Sequence, residues 1–181
     1  MLRTLAKFLP RDVARFGAAR SGATAVEFAL VAPAFLALVI AVLETTLFLF
    51  AQATLQNAAT QGGRMFMTGQ AQNANLTQAQ FQNDVCPMIS ALFNCNNLMV
   101  NVTAYSDFSS ASASAPTLTY NGQGQVNNTW TYVPGTPGQV MVVQLIYQWP
   151  IVSGPFGSVL KNLGNGTTEM MGVTSFRVEP Y

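Results

Sequence analysis

Hydrophobic residues are concentrated in one long run that begins after Gly22 and continues to Phe50. Its only ionisable residues are Glu27 and Glu44, and the sixteen positions between them carry no polar side chain. As an α-helix rising about 1.5 Å per residue, residues 23–50 extend roughly 42 Å, more than the ~30 Å hydrocarbon core of a bilayer. The pattern therefore predicts a single membrane-spanning helix, with Glu44 as a second membrane carboxylate.

Two further signals describe the course of this helix. Pro33 lies inside the run, where it removes one helical hydrogen bond and predicts a kink. Beyond Phe50, apolar residues recur at helical spacing, which predicts that the helix continues into the following domain. The pair Gly62-Gly63 marks its expected end or a weak point.

The rest of the chain predicts a small α+β domain. Thr77 is placed to cap a second helix over residues 77–93, with Pro87 as a break. Alternating apolar positions predict three strands, Leu98–Tyr105, Gln139–Trp149 and Glu169–Glu179. Residues 106–138, rich in Ser, Asn, Gly and Thr, are interpreted as a long loop or a weak hairpin. We expect an antiparallel sheet that packs against the long helix, a helical turn over Ser158–Leu163 and a short helix over Val13–Arg20, capped by Asp12.

Charge is unevenly spread along the 181 residues, of which only 8% are charged. Five of the eight basic residues precede Gly22, whereas acids outnumber bases after it. Positive residues beside a membrane span stay on the cytoplasmic side, so we expect a cytoplasmic N-terminus and a translocated C-terminal domain. Because no basic patch follows the leader, the sequence argues against nucleic-acid binding.

The residues that catalytic sites need are scarce. The chain has no His, which excludes Ser-His-Asp and Cys-His arrangements, and no phosphate-binding glycine motif. Cys86 and Cys95, the only cysteines, predict a disulfide in an exported domain, with two unrelated buried thiols as the alternative. Two such ligands are too few for a metal site, and the sequence predicts no cofactor and no enzyme activity.

Glu27 is the most informative single residue. A carboxylate at the centre of a membrane costs about 2.5–3.5 kcal/mol, and less near the interface. Glu27 either lies at the interface and favours the helix N-terminus through the helix dipole, or has a positive partner. Cleavage after Gly22 would create such a partner, because it would leave a new α-amino group on Ala23.

The pattern of Gly22 followed by Ala-Thr-Ala-Val-Glu27-Phe28 and a long apolar helix resembles a type IV prepilin signal. More narrowly, residues 20–66 resemble the TadE-like family of pseudopilins. The resemblance rests on Gly22, Val26–Val31, Pro33, Glu44 and Leu55–Ala59, and more weakly on the ending Ser-Phe-Arg-Val-Glu at 175–179. Proteins of the TadF-like and TadG-like groups are similar at the start, so the paralogue stays open.

This resemblance implies a minor pilin-like component of the Tad (Flp) pilus machinery, with a role in pilus assembly, adherence and biofilm formation. It implies cleavage between Gly22 and Ala23 by a prepilin peptidase, with Glu27 and Phe28 acting in assembly. Implied partners are other Tad pilins and pseudopilins, the inner-membrane assembly platform and the lipid bilayer. The major Flp pilins have Glu-Tyr and are very short; Glu-Phe with a large domain favours a minor component.

The expected organisation is a basic leader (1–22), a membrane and pilin-like helix (23–66) and a periplasmic domain (67–181), anchored by a single pass in the inner membrane. The alternative function is a signal-anchored periplasmic binding domain without a pilus role. In that case Glu27 would be incidental, and crosslinking would find no pilin neighbours.

Overall fold

A computed structural model of the protein describes residues 22–113, 117–151 and 166–181. The helices predicted over Val13–Arg20 and Ser158–Leu163 lie outside these residues. The chain divides into two compact units, Met1–Val42 and Leu43–Tyr181. The division falls within the first helix.

Helix α1 spans Ala23–Met67 and has Pro33 inside it. It continues through Gly62 and Gly63, so the prediction that these glycines end the helix was wrong. Both glycines are buried, and a Cβ atom on Gly62 would lie 2.8 Å from the Phe81 ring. They are helical positions at which neighbouring side chains approach the backbone closely, which requires glycine for space and not for a turn.

The segment after α1 contains a residue with a left-handed backbone conformation and two shorter helices. Gly69 has φ +76°, and helix α2 (Gln70–Asn73) follows it. Helix α3 spans Gln78–Ile89 and is capped by Thr77, as the sequence predicts. The cap is a capping box, in which Thr77 and Gln80 exchange hydrogen bonds.

Two details of α3 differ from the prediction. It ends at Ile89 rather than at residue 93, and Pro87 lies inside it without breaking it. A proline in the last turn removes only one hydrogen bond of that helix. The buried positions of α3 are Phe81, Val85 and Ile89.

Three antiparallel strands form one sheet in the order β1-β2-β3. The strands are β1 (Met99–Tyr105), β2 (Val140–Pro150) and β3 (Thr167–Arg177). The α+β fold class is therefore confirmed. Val102 pairs with Val143, which pairs with Thr174, so the central strand joins two strands that are far apart in sequence.

One hydrophobic core lies between α1, α3 and one face of the sheet. The second half of α1 contributes Ala51, Leu55, Ala58, Ala59 and Phe66. Strand β2 contributes its predicted apolar face, with Met141, Val143, Leu145 and Tyr147 buried and Trp149 packed against them. The alternation of strand side chains places the intervening residues of β2 on the opposite face.

The described part of residues 106–138 is mostly irregular, with one helical element that the sequence did not predict. Helix α4 spans Phe108–Ala113. The later residues make two isolated bridges, an antiparallel one between Tyr120 and Val126 and a parallel one between Tyr132 and Val102 of β1. The second bridge covers part of the free edge of β1.

Candidate functional site

The N-terminal part of α1 presents a largely apolar surface. Thirteen large apolar side chains between Val26 and Phe50 are exposed, and Phe28 exposes 73% of its surface. An 18-residue window of this helix has a mean hydropathy of 2.6, and none of that window is buried. Helix α1 is thus long and apolar enough to cross a bilayer. Its first fully buried residue is Ala51, and Phe48 packs against the domain core while only partly buried.

The predicted processing and assembly residues lie at the start of this surface. Gly22 is the first described residue and is exposed; apart from its chain neighbours, no described residue has an atom within 4 Å of the position that a Cβ would occupy. Ala23 begins the helix, and Glu27 and Phe28 are exposed on its first turns.

Glu44 differs from Glu27 in its surroundings. Glu44 is half-buried, and its Oε1 atom is buried without a hydrogen-bond partner among the residues that the structure describes. A buried carboxylate oxygen without a donor is costly, more so in an apolar environment. Because this oxygen is itself buried, a donor from another molecule would reach it only after the Glu44 side chain changes rotamer.

Cys86 of α3 and Cys95 are joined by a disulfide, with 5.7 Å between their Cα atoms. Cys95 begins a 3₁₀ turn over Cys95–Asn97. The side chain of Gln82 holds the same turn, because its Nε2 donates to the carbonyl of Cys95 at 2.7 Å and to that of Leu98 at 3.1 Å. The bridge and these bonds attach α3 to the start of β1.

These observations describe a helix whose apolar part contains two carboxylates, Glu27 and Glu44, and which continues into a disulfide-bonded domain. Residues 22–64 match the family of TadE-like proteins. The match confirms the resemblance read from the sequence over this segment. No curated protein and no solved structure matches the chain.

The TadE-like segment is about a quarter of the chain. It begins at Gly22 and ends at Arg64, three residues before the end of α1. The α3 helix and the sheet lie outside it. The family match thus describes the helix, and the domain has to be interpreted from its own residues.

Sequence reasoning missed one buried polar pair in the domain that follows the TadE-like segment. Asn101 of β1 and Gln144 of β2 face each other across the sheet, and Asn101 Nδ2 donates to Gln144 Oε1 at 2.7 Å. Both residues are less than 10% exposed. The available signal was a glutamine in the middle of an apolar strand, which needs a partner if it is buried.

Three ionisable groups of the domain have shifted pKa values. The backbone N–H of Ser110, followed by the hydroxyls of Ser106 and Ser110, holds the pKa of Asp107 below its ordinary value. Burial, followed by Glu169, raises the pKa of Tyr120 to about 12, and burial, followed by Asp84, raises that of Tyr132 to about 12. At neutral pH both phenols are protonated and Asp107 is ionised. Tyr120 donates to Glu169 and Asp107 accepts from Ser110, whereas the Tyr132 hydroxyl has no hydrogen-bond partner among the described residues.

Proposed function

We propose that the protein is a minor pilin-like component of a Tad-type pilus machinery. In this proposal α1 anchors the protein in the inner membrane by a single pass, and the domain lies on the periplasmic side. The observation that carries the proposal is the TadE-like match, whose first residue is Gly22. The exposed apolar surface of α1 supports it, because such a surface needs lipid or other apolar helices around it.

The proposed maturation is one peptide-bond hydrolysis by a prepilin peptidase. Cleavage between Gly22 and Ala23 would release the basic leader and leave an α-amino group on Ala23, four residues before Glu27. The ammonium group of one copy would then pair with the Glu27 carboxylate of a neighbouring pilin. Such a pair sets the axial position of helices more than it adds affinity, because both charges lose their hydration.

Glu44 gives a second polar position on the same helix. It lies seventeen residues after Glu27, roughly 26 Å along a helix axis. After a change of rotamer that exposes its unsatisfied oxygen, Glu44 would accept a hydrogen bond from another membrane helix, of a pilin or of the assembly platform. In this role the protein acts through binding and assembly, and it carries no catalytic residue.

The mature N-terminus tests the proposal. In a strain with the pilus machinery, mass spectrometry should find Ala23 as the first residue of the wild-type protein, and Gly22→Ala should retain the leader. Gly122→Ala is the matched control, because both glycines are exposed and neither would place a Cβ within 4 Å of another atom. An intact Met1 in cells that make functional pili would refute the proposal.

Assembly is tested separately from cleavage. Glu27→Ala should still be cut but should reduce piliation and adherence. p-Benzoylphenylalanine at Leu36, 55% exposed on α1, should crosslink to pilins, and the same probe at Met88, 39% exposed on α3, should crosslink much less. Normal piliation in both the Gly22 and the Glu27 variants, with no pilin crosslinks at Leu36, would favour a membrane-anchored binding domain without a pilus role.

A further inference from the structure

The face of the sheet turned away from the core carries a groove of about 400 Å³. Its floor includes Val142 and Gln144 of β2, which pair in register with Ser175 and Val173 of β3. Phe108 of α4 also lines the groove. The volume lies within the ~300–1,000 Å³ range of small-molecule sites.

Gln144 presents an oriented donor in this groove. The backbone N–H of Thr131 donates to Asn101 Oδ1 at 3.0 Å, so the Asn101 amide must present its Nδ2 to Gln144. That Nδ2 donates to Gln144 Oε1, which leaves the Nε2 of Gln144 on the other side of the amide. No partner of this Nε2 lies among the described residues, although Gln144 is only 5% exposed. A backbone N–H thus determines, through two amides, that Gln144 offers N–H groups to a ligand.

The other described lining residues combine aromatic rings with neutral hydroxyls. Phe108 leaves 52% of its surface exposed, so its ring is accessible to a ligand in the groove. Tyr105 also lines the groove, and the hydroxyls come from Thr103, Ser112 and Ser175. None of the described lining residues is Lys, Arg, Asp or Glu. This composition favours a ligand that has an apolar face and many hydroxyl groups but no charge.

We infer that this groove binds a neutral sugar of a glycan, with the ring against Phe108 and Tyr105 and a ring or hydroxyl oxygen accepting from Gln144 Nε2. A pyranose has a C–H face that packs on an aromatic ring and hydroxyls that exchange hydrogen bonds with neutral side chains. The inference rests on the domain alone and does not depend on the pilus role proposed for α1.

Saturation-transfer NMR on the full chain tests the inference. The protein is placed in phosphocholine nanodiscs, because maltoside detergents would themselves supply sugar headgroups. The probes are maltotriose, cellotriose and chitotriose, with trigalacturonate as the charged comparison. We expect at least one neutral trisaccharide to give saturable binding in the millimolar range and trigalacturonate to give none.

Three variants locate the site. Phe108→Ala should weaken binding about tenfold, because a stacked ring and its buried surface are lost. Tyr181→Ala is the matched control, since Tyr181 is also 52% exposed but does not line the groove, and it should bind like the wild type. Gln144→Glu keeps an oxygen for Asn101 Nδ2 but replaces the N–H donors, so it should abolish binding. The thermal unfolding midpoint and the disulfide content verify that each variant is folded.

Three results would overturn the inference. The first is folded wild-type protein that binds none of the three neutral trisaccharides at millimolar concentration. The second is binding that is as strong for Phe108→Ala as for Tyr181→Ala, which would place the sugar elsewhere. The third is trigalacturonate binding equal to that of the neutral sugars, which would contradict selection for an uncharged ligand. If Gln144→Glu does not fold, the comparison of Phe108→Ala with Tyr181→Ala decides.

Discussion

The side-chain amide of Gln56 makes two hydrogen bonds with the backbone of Val173, accepting from its N–H at 3.0 Å and donating to its carbonyl at 2.7 Å. Four residues earlier on α1, Gln52 Nε2 donates to the carbonyl of Met171 at 2.8 Å. Four helical residues advance about 6 Å and two strand residues about 6.6 Å, so glutamines at this spacing reach alternate residues of a strand. Because β3 is an edge strand, these amides cover backbone groups that could otherwise pair with another chain.

Replacing Gln56 with Met should remove this pairing and keep the length and helix propensity of the side chain. We expect Gln56→Met to lower the free energy of unfolding of the domain by about 1 kcal/mol, because two hydrogen bonds at a partly solvated edge are lost. Gln61→Met, at an exposed position of the same helix, is the control and should change it much less. The measurement is urea unfolding of the full chain in lipid nanodiscs, followed by tryptophan fluorescence. Equal effects of the two substitutions would contradict a role of Gln56 at the strand edge.

Gly172 is a position of β3 at which the backbone of α1 approaches closely. A Cβ there would lie 2.6 Å from the backbone oxygen of Leu55, and the helix backbone cannot move aside as a side chain end can. We expect Gly172→Ala to destabilise the domain by about 1–3 kcal/mol through overpacking. Gly122→Ala, with open space around its Cβ, should have little effect. Unfolding of both variants under the same conditions makes the comparison, and a Gly172→Ala protein as stable as the wild type would show that the helix can shift away from the strand.

The strands and the core were predictable because one rule, the alternation of side chains, acts within each segment. The apolar residues of β2 from Met141 to Tyr147 lie in the core as their spacing predicts. The cap at Thr77 was equally local, since its partner Gln80 is three residues away. The family resemblance, too, was carried by consecutive residues of a single helix.

The predictions that failed, or were never made, depended on contacts between distant segments. Gly62 and Gly63 resemble a helix end in sequence, and only the positions of Phe81 and Thr174 explain why α1 continues through them. The pair of Asn101 and Gln144 depends on strand register across 43 residues of sequence. Local patterns contain no information about either, so neither could be derived before the sheet was known.

The cap at the start of α4 should be lost at acid pH, when Asp107 is protonated. Asp107 Oδ1 accepts from the backbone N–H of Ser110 at 2.8 Å, and this and neighbouring hydroxyl bonds hold the pKa of Asp107 below its ordinary value. A carboxyl group whose pKa is lower in the folded state stabilises that state at pH values above its pKa in the unfolded chain. This contribution is lost as the pH falls through the pKa of the folded state. We expect the Ser110 amide proton resonance to titrate with a midpoint below the value of about 3.9 that is typical of Asp. In Asp107→Asn, which keeps a capping oxygen, the titration should disappear. A midpoint at or above the typical value would contradict the cap.

Removal of the hydroxyl group should change the free energy of unfolding differently at two tyrosines of the core. Tyr147 OH accepts from the backbone N–H of Asn94 at 3.3 Å, whereas the buried hydroxyl of Tyr132 has no partner in the part of the chain that the structure describes. Tyr147→Phe leaves a donor unpaired and should lower the free energy of unfolding by about 1 kcal/mol. Tyr132→Phe removes a buried, unpaired polar atom, so it should leave stability at neutral pH unchanged or raise it by up to about 1 kcal/mol.

Tyr132 also predicts how stability changes at alkaline pH. Burial is the main cause that raises the pKa of Tyr132 to about 12, so its protonated phenol is favoured in the folded state. A group whose pKa is raised on folding contributes stability that is fully present below its unfolded pKa of about 10. This contribution is lost as the pH rises toward its pKa in the folded state. Tyr132→Phe should therefore lose less stability than the wild type between pH 10 and 12. Urea unfolding at a series of pH values measures both curves. A wild-type slope retained in Tyr132→Phe would assign the alkaline loss to other groups, such as Tyr120, whose pKa is also raised to about 12.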